Sequence, residues 1–433
     1  MKNKLENILV GMDIGNGYLK GAAIVSDGKD SIDIDYQSVA SLAIDPVSFG
    51  IDPDNKTDVE ETVNDIFNCL DASFNTPLVS DRYRHIFGRQ GIVHYPEGVR
   101  QFDVTLNRIG KAKDELSSIL CLGTIAGIAL KDYYVKNGEL PTEDIDVAAR
   151  IALALPIDEY IEEREAYPAK LCSCERHTVE IHNFNVRQNT INVNIRFDDV
   201  AVLAEGSAAQ IAIVSNGKVF IQNLLDQAKQ LNSVWEPITA DDIIAGDSTV
   251  GIDIGEGTVN YTVFADGTFS PKLSATFTKG YGSVLDSAIS AIKKESGARK
   301  HIYKNRKELI NFLGKEVTGT KKLQREVADT KIAEQKKIFA NEIVAHLSEV
   351  LSSVGSIDVI YVYGGGANAM REDLYKNLIP TVAASNPLAP ILYMEKDYCR
   401  ILNRDGLFSC ALARSQKTSN QQSQISNASD QKK

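Results

Sequence analysis

One eight-residue pattern occurs twice in this chain, as Val10-Gly-Met-Asp-Ile-Gly-Asn-Gly17 and as Val250-Gly-Ile-Asp-Ile-Gly-Glu-Gly257, 240 residues apart. Both copies read V-G-x-D-I-G-x-G, and each leads into a β-rich run, Leu19 to Val25 in the first case and Val259 to Phe264 in the second. The repeat constrains the fold more tightly than composition does, because each copy asks for the same local structure of strand, glycine turn and strand. Asn16-Gly17 predicts a type I′ turn, in which both central residues have positive φ. The chain is therefore expected to consist of two similar halves.

The residue types also suggest a ligand. Glycine at a turn lets backbone N–H groups approach phosphate oxygens with no Cβ in the way. Asp13 and Asp253, at the two strand ends, would each present a carboxylate that can hold a hydrated Mg²⁺ beside those phosphates. Lys20, two residues beyond Tyr18 on the same strand face, can place an ammonium on a phosphate. A single D-x-G-x-G would mark only an ordinary hairpin; the duplication favours phosphate binding, with two hairpins gripping one phosphate chain from opposite sides of a cleft. A third glycine element follows the apolar run Ile357 to Val362, as Gly364-Gly365-Gly366-Ala367-Asn368. Strand, triple glycine and helix bring a backbone close to a flat base and ribose, although a strand-to-helix turn without a ligand has the same form.

Composition sets the outer bounds. With 43% hydrophobic and 24% charged residues, the 433-residue chain is globular, and its length suggests two or three domains. A net charge of −11 argues against nonspecific binding to nucleic acid or an anionic membrane. No run approaches the ~18 apolar residues of a membrane span, and the Ile8-Leu9-Val10 run ends too soon, at Asp13, for a secretory signal. Six cysteines are too sparse for a disulfide scaffold, so a cytoplasmic setting is expected. Cys172, Cys174, His177 and His182 offer four potential metal ligands, but not at the spacing of common zinc modules. Thr178, Glu180 and His182 alternate with Val179 and Ile181, as in a half-buried strand with one wet face.

In their order along the chain, Asp13 with Lys20, Asp253, and Gly364-Gly365-Gly366 before a helix resemble the superfamily of actin, heat-shock chaperones and sugar kinases. The overall look is most similar to bacterial plasmid-segregation actins of the ParM type. The resemblance implies an α/β protein with a two-domain actin-like (ribonuclease H-like) fold and an interdomain nucleotide cleft. Domain I would span residues 1–204 with an upper insertion near 45–110, and domain II residues 205–414 with an upper insertion near 284–335. The Ser-, Gln- and Asn-rich end, 415–433, is expected to be disordered. Val147 to Pro156 reads as a buried strand, Leu122 to Val135 as a helix, and Ile332 to Leu351 as a helix with one packed face.

The same resemblance assigns roles. The nucleotide, ATP or GTP, would be held with Mg²⁺ by Asp13, Gly15, Asn16, Gly17, Tyr18 and Lys20 of the first hairpin. Gly255, Glu256, Gly257 and Thr258 of the second, and Gly364, Gly365, Gly366 and Asn368, would complete the set. Asp13 and Asp253 would bind the metal. Glu205, in Val200-Ala-Val-Leu-Ala-Glu205-Gly-Ser, stands where the ParM-like branch carries a water-positioning glutamate, and with Asp253 forms the catalytic pair; a helix-starting glutamate favoured by the macrodipole is the plainer reading. The expected activity is ATP hydrolysis coupled to filament formation, with plasmid DNA reached through a centromere-binding adaptor, no direct nucleic-acid contact and no membrane. A small-molecule kinase of the same fold is the alternative. Residues 293–337 carry 14 basic against 6 acidic side chains, and residues 52–71 carry seven acids and one lysine. These are either two solvated faces, surfaces that meet between subunits and are screened by salt, or, for the basic stretch, a DNA contact.

Overall fold

The computed structural model describes residues 5–26, 28, 30–44, 51–102, 109–184, 190–295 and 303–430. Parts of both expected upper insertions (45–50, 103–108 and 296–302) and the lysine-bearing start at residues 1–4 lie outside the described residues. The chain divides into two units, residues 1–204 with 403–433, and residues 205–402.

Unit 1 is built on β1 (Glu6–Ile14), β2 (Tyr18–Val25), β3 (Ile32–Gln37), β4 (Val39–Ala43), β5 (Asp71–Asn75), β6 (Arg84–Phe87), β7 (Val99–Gln101), β8 (Ile145–Leu155), β9 (His177–Ile181) and β10 (Ile191–Ala204). They form one sheet in the order β3-β2-β1-β8-β10-β9-β5-β6-β4-β7. The hairpin β1–β2 is antiparallel, and β8 and β10 continue parallel to β1. The strands contributed by residues 39–101 extend this same sheet beyond β9.

Unit 2 repeats the arrangement with β11 (Thr249–Ile254), β12 (Val259–Ala265), β13 (Thr268–Phe269), β14 (Ala275–Phe277), β15 (Val359–Tyr363) and β16 (Ile391–Tyr393). The order is β13-β12-β11-β15-β16, with β14 also paired to β12. Again an antiparallel hairpin, β11–β12, is followed by two strands parallel to its first member. The sequence echo is thus an echo of topology, with an antiparallel pair beside parallel strands whose Val/Ile-rich runs need cover on both faces.

Helices supply that cover. Glu115–Asn137 buries every residue from Leu116 to Leu130. Asp114 caps its start by accepting from the Leu116 N–H at 2.9 Å, and Gly138, at φ 70°, ends it. Inside it, Thr124 Oγ1 donates to Leu120 O and meets Tyr36 OH at 2.8 Å, so both hydroxyls are satisfied within an apolar layer. This helix is long and apolar enough to cross a membrane, but 83% of its apolar window is buried inside the protein, as a core helix should be. The helix expected from Ile332 runs from Thr320 to Ser353, and its buried residues Ile332, Phe339, Ile343, Leu347 and Val350 lie on one stripe.

The chain's end differs from expectation. Residues 402–430 form one helix, Leu402–Asp430, and residues 403–433 cluster with unit 1 rather than standing apart or joining unit 2. Leu407 and Ala411 are buried, and Gly11 of β1 leaves room for the helix backbone at Leu407 and Phe408. Once that apolar first part is docked, extending the helix through polar residues adds a hydrogen bond per residue without a new nucleation step.

No group of three or more metal-ligand side chains occurs among the described residues. His177 lies on the buried face of β9 with Val179 and Ile181, where its Nε2 donates to Leu171 O at 2.8 Å and its Nδ1 meets Thr76 Oγ1 at 2.6 Å. His182 instead meets Ser73 Oγ at 2.8 Å, so the two imidazoles serve separate hydrogen bonds. Burial, with the Arg84 guanidinium second, pushes His182 down to about 4, and burial also lowers His177 and His85. These histidines are neutral when folded, whereas the unfolded chain protonates them below about 6.5. The contribution of His182 is therefore complete above about pH 6.5 and is lost as pH falls toward 4, and His177 and His85 act in the same direction. Urea midpoints measured across that window should fall, and His182→Asn should make the decline shallower; equal slopes for both proteins would contradict the assignment.

Candidate functional site

In unit 1, the β1–β2 register sets Ile14 opposite Leu19 and Asp13 opposite Lys20. Directly opposed residues share a sheet face, so the Asp13 carboxylate and the Lys20 ammonium are carried side by side. Asp13 is only 8% exposed, while Tyr18 stands on the rim. The loop from Gly15 to Tyr18 is closed by the Gly15 N–H donating to Tyr18 O at 3.0 Å, and the Ser38 N–H donates to Gly17 O at 3.1 Å. Neither Asn16 nor Gly17 has positive φ, so the type I′ turn expected from Asn16-Gly17 is not formed. The Gly17 carbonyl is instead turned to the Ser38 N–H between β3 and β4, a distant donor that the dipeptide does not reveal.

Unit 2 repeats this geometry with different chemistry. Ile254 pairs with Val259 and Asp253 with Asn260, and the Gly255 N–H donates to Thr258 O at 2.9 Å. Asn260 therefore occupies the place that Lys20 holds in the first copy. Its amide donates to Glu205 Oε2 at 3.1 Å, and its carbonyl accepts from Thr276 Oγ1 at 2.9 Å. Glu205 lies in the turn between β10 and the helix Ser207–Ser215. Asp253 and Glu205, 6% and 9% exposed, are thus gathered around one asparagine. The seven-residue offset from each aspartate to its cross-strand partner is visible in the sequence echo and points to Asn260, a residue that motif reading alone passes over.

The triple glycine closes over the same place. Gly364 follows β15 at φ +98°, a conformation that favours glycine, and a Cβ there would overlap Asp253 Oδ1. The Gly366 N–H donates to Ile254 O at 2.8 Å, which ties this turn to the second hairpin. Gly365 faces open space, with nothing within 4 Å of an added Cβ. Asn368 lies in the first turn of the helix Ala367–Ser385.

On the other side of the loop, the Tyr281 and Gly282 N–H groups donate to Gly255 O and Glu256 O, both at 2.9 Å. Arg306 binds Glu256 Oε1 at 3.1 Å and also the carboxylate of Asp286. Glu256 is therefore an anchor for the loop from Lys279 to Ser283 as well as a loop residue. The two charge patches are likewise partly neutralised within the chain: Arg84 pairs with Asp71, Arg89 with Asp65, Arg325 with Asp329 and Lys336 with Asp373.

Each unit by itself carries a nearly buried carboxylate beside a glycine loop, a pattern that suits a phosphate group with a divalent cation; unit 1 adds a lysine, and unit 2 a glycine turn with open space above it. The family profile described as archaeal actin homologue MreB-like, C-terminal, matches residues 251–376, the stretch from Asp253 through the triple glycine. Solved structures match nearly the whole chain. Actin-like protein Alp7A superposes with a TM-score of 0.60 at 15% identity, covering 97% of this chain and 100% of its own. The chain has the actin-like fold. Bacillus thuringiensis ParM with ATP gives a TM-score of 0.57 at 15% identity, covering 94% of this chain and 99% of its own. The archaeal actin homologue Ta0583 gives 0.57 at 15% identity, with the same coverage. No curated protein sequence matches. Within the actin-like fold the two copies of V-G-x-D-I-G-x-G are the corresponding hairpins of the two units, and the expected α/β class and two-domain architecture are those observed.

Proposed function

We propose that this chain is an ATP-hydrolysing, filament-forming protein that moves plasmid DNA through a centromere-binding adaptor in the cytoplasm. The observation that carries the reading is the gathering of Glu205, Asp253 and Asn260 beneath the Gly364 turn, in a fold shared with a ParM structure that holds ATP. Asp13 and Asp253 would hold a hydrated Mg²⁺, and Lys20 would place its ammonium on a phosphate oxygen. The loops Gly15–Tyr18 and Gly255–Thr258 line the phosphates, while Gly364, Gly365, Gly366 and Asn368 border base and ribose. Bound Mg²⁺ would neutralise charge that develops on the transferred phosphoryl group. Glu205, steered by the Asn260 amide, orients the attacking water, since phosphoryl transfer depends on placement more than on covalent chemistry. Nucleotide state then selects between two arrangements of the chain, only one of which assembles.

Light scattering after addition of ATP and Mg²⁺ tests this directly. The wild-type trace should rise and later decay, whereas Asp253→Ala should stay flat. A flat wild-type trace with phosphate still released would reject the filament and favour a small-molecule kinase of the same fold.

A further inference from the structure

Beneath Glu205 lies a chain of buried hydroxyl and amide groups that phosphate binding does not require. Gln210, Thr249, Thr262 and Tyr363 come from the helix Ser207–Ser215, β11, β12 and β15, and all are buried. Gln210 Nε2 donates to Thr262 O at 2.8 Å and to Thr262 Oγ1 at 2.7 Å. Thr249 Oγ1 donates to Gln210 Oε1 at 2.6 Å. Thr262 Oγ1 and Tyr363 OH are 3.1 Å apart, and Tyr363 OH donates to Gly206 O at 2.7 Å.

The protons leave one consistent direction. Gln210 Nε2 can only donate and Gly206 O can only accept, so the Thr262 hydroxyl donates to Tyr363 and the Tyr363 hydroxyl donates to Gly206. Every member is thereby satisfied, and fully satisfied buried networks fix a single geometry. Gly206, at the receiving end, sits at φ +82° immediately after Glu205, and a Cβ there would come within 2.9 Å of Thr262 Cγ2. Gly251, the first glycine of the second repeat, makes room for the same network: an added Cβ would overlap Tyr363 OH and lie 2.6 Å from both Gln210 Nε2 and Thr262 Oγ1. A full tyrosine therefore reaches under the sheet to hold one carbonyl of a two-residue turn.

We infer that Tyr363 and Thr262, aligned by Gln210, are positioning residues that hold the Glu205–Gly206 turn in the orientation needed for hydrolysis. This rests on the proposed ATPase reading. The turn joins a strand to a helix through Gly206, and a glycine has the widest conformational freedom unless its surroundings hold it. Removing the Tyr363 hydroxyl takes away the shorter of two bonds to Gly206 O, at 2.7 Å, and leaves the 3.3 Å bond from the Gln210 N–H, so the turn can rotate and carry the Glu205 carboxylate with it. Because Tyr363 leads directly into Gly364, the same clamp links that turn to the glycines over Asp253.

The test pairs Thr262→Val with Thr262→Ser, and adds Tyr363→Phe, in the full chain. Amide hydrogen exchange without nucleotide should show faster exchange from Gly206 to Gln210 in the Val and Phe variants and recovery in the Ser variant. ATP hydrolysis should fall about tenfold to a hundredfold in kcat for Val and Phe. Binding of a fluorescent ATP analogue should stay within about twofold, because phosphate and base contacts lie elsewhere. Unchanged exchange in a folded Thr262→Val protein would overturn the clamp whatever the activity. Altered exchange with unchanged kcat would reduce it to a purely structural bond, which also overturns the proposal. A wild-type protein that does not hydrolyse ATP at all would reject the ATPase reading itself. Should Tyr363→Phe fail to fold, the Thr262 pair decides alone.

Discussion

Gly364→Ala should weaken ATP binding by at least about a hundredfold, the loss expected when a key group is displaced by roughly 1 Å. Two effects act together at this residue. Its backbone stands at φ +98°, where a side chain costs about 1–3 kcal/mol. The added methyl would also overlap Asp253 Oδ1 and lie 2.6 Å from the Ile254 nitrogen and oxygen, so the carboxylate proposed to hold the cation must move. Gly365→Ala separates the two effects. An alanine Cβ there meets nothing within 4 Å and φ is ordinary, so the variant should melt like the wild type. If ligand occupies the open space, it should still bind ATP about tenfold more weakly, a loss of about 1.4 kcal/mol. Calorimetric titration of both variants beside thermal melts checks the pair. Wild-type affinity for Gly364→Ala would remove the triple glycine from the nucleotide site.

Gly11→Ala should destabilise unit 1 by about 3 kcal/mol or more, the upper range for forcing a methyl into a packed core. Gly11 lies in β1, between Ala22 of β2 and Ala152 of β8, and the sheet cannot yield on either side without breaking register. A Cβ would overlap the Phe408 nitrogen and lie 2.6 Å from Leu407 C and Phe408 Cα. These are backbone atoms, which cannot rotate aside as a long side chain would. The helix Leu402–Asp430 must then lift from the sheet and expose Leu407. Thermal melting should show the loss, and limited proteolysis should cut first within residues 403–430. Gly355→Ala, which meets nothing within 4 Å, serves as the control and should shift stability by no more than about 0.5 kcal/mol. Equal melting of both variants would show that the helix is not pinned at Gly11.

The hairpins, the glycine turn and the long helices were readable because their signals are local: strand alternation, glycine spacing, and apolar residues at helical intervals. The repeat went further, since one motif used twice implies one sheet plan used twice, which Asp13 opposite Lys20 and Asp253 opposite Asn260 bear out. What escaped depends on distant partners. Asn16-Gly17 suggested a type I′ turn, but neither residue takes a positive φ, and Gly17 O is held by the Ser38 N–H some twenty residues on. The polar end of the chain suggested disorder because the part of its helix that docks lies upstream of it, where Leu407 and Phe408 meet a glycine nearly four hundred positions earlier. The first glycine of each repeat precedes the D-x-G-x-G element, and the spacing gives it no role. In the structure one admits a helix backbone and the other a tyrosine hydroxyl. A spacing cannot tell these apart, because a glycine reports that something comes close without saying what. Gln210 and Tyr363 belong to no motif, and only three-dimensional proximity joins them.

The docking of residues 403–430 onto β1 also has a consequence during synthesis. Unit 2 is one uninterrupted stretch, residues 205–402, inserted into a host whose own residues flank it on both sides. Every strand of its sheet emerges from the ribosome ahead of Leu407, and domains fold as units while the chain emerges. The host must wait: β1 is made near the beginning, yet the face of it at Gly11 gains its cover only when the last helix arrives. The guest unit is therefore expected to finish first, leaving the earliest strand of the chain as the part that waits longest for its partner.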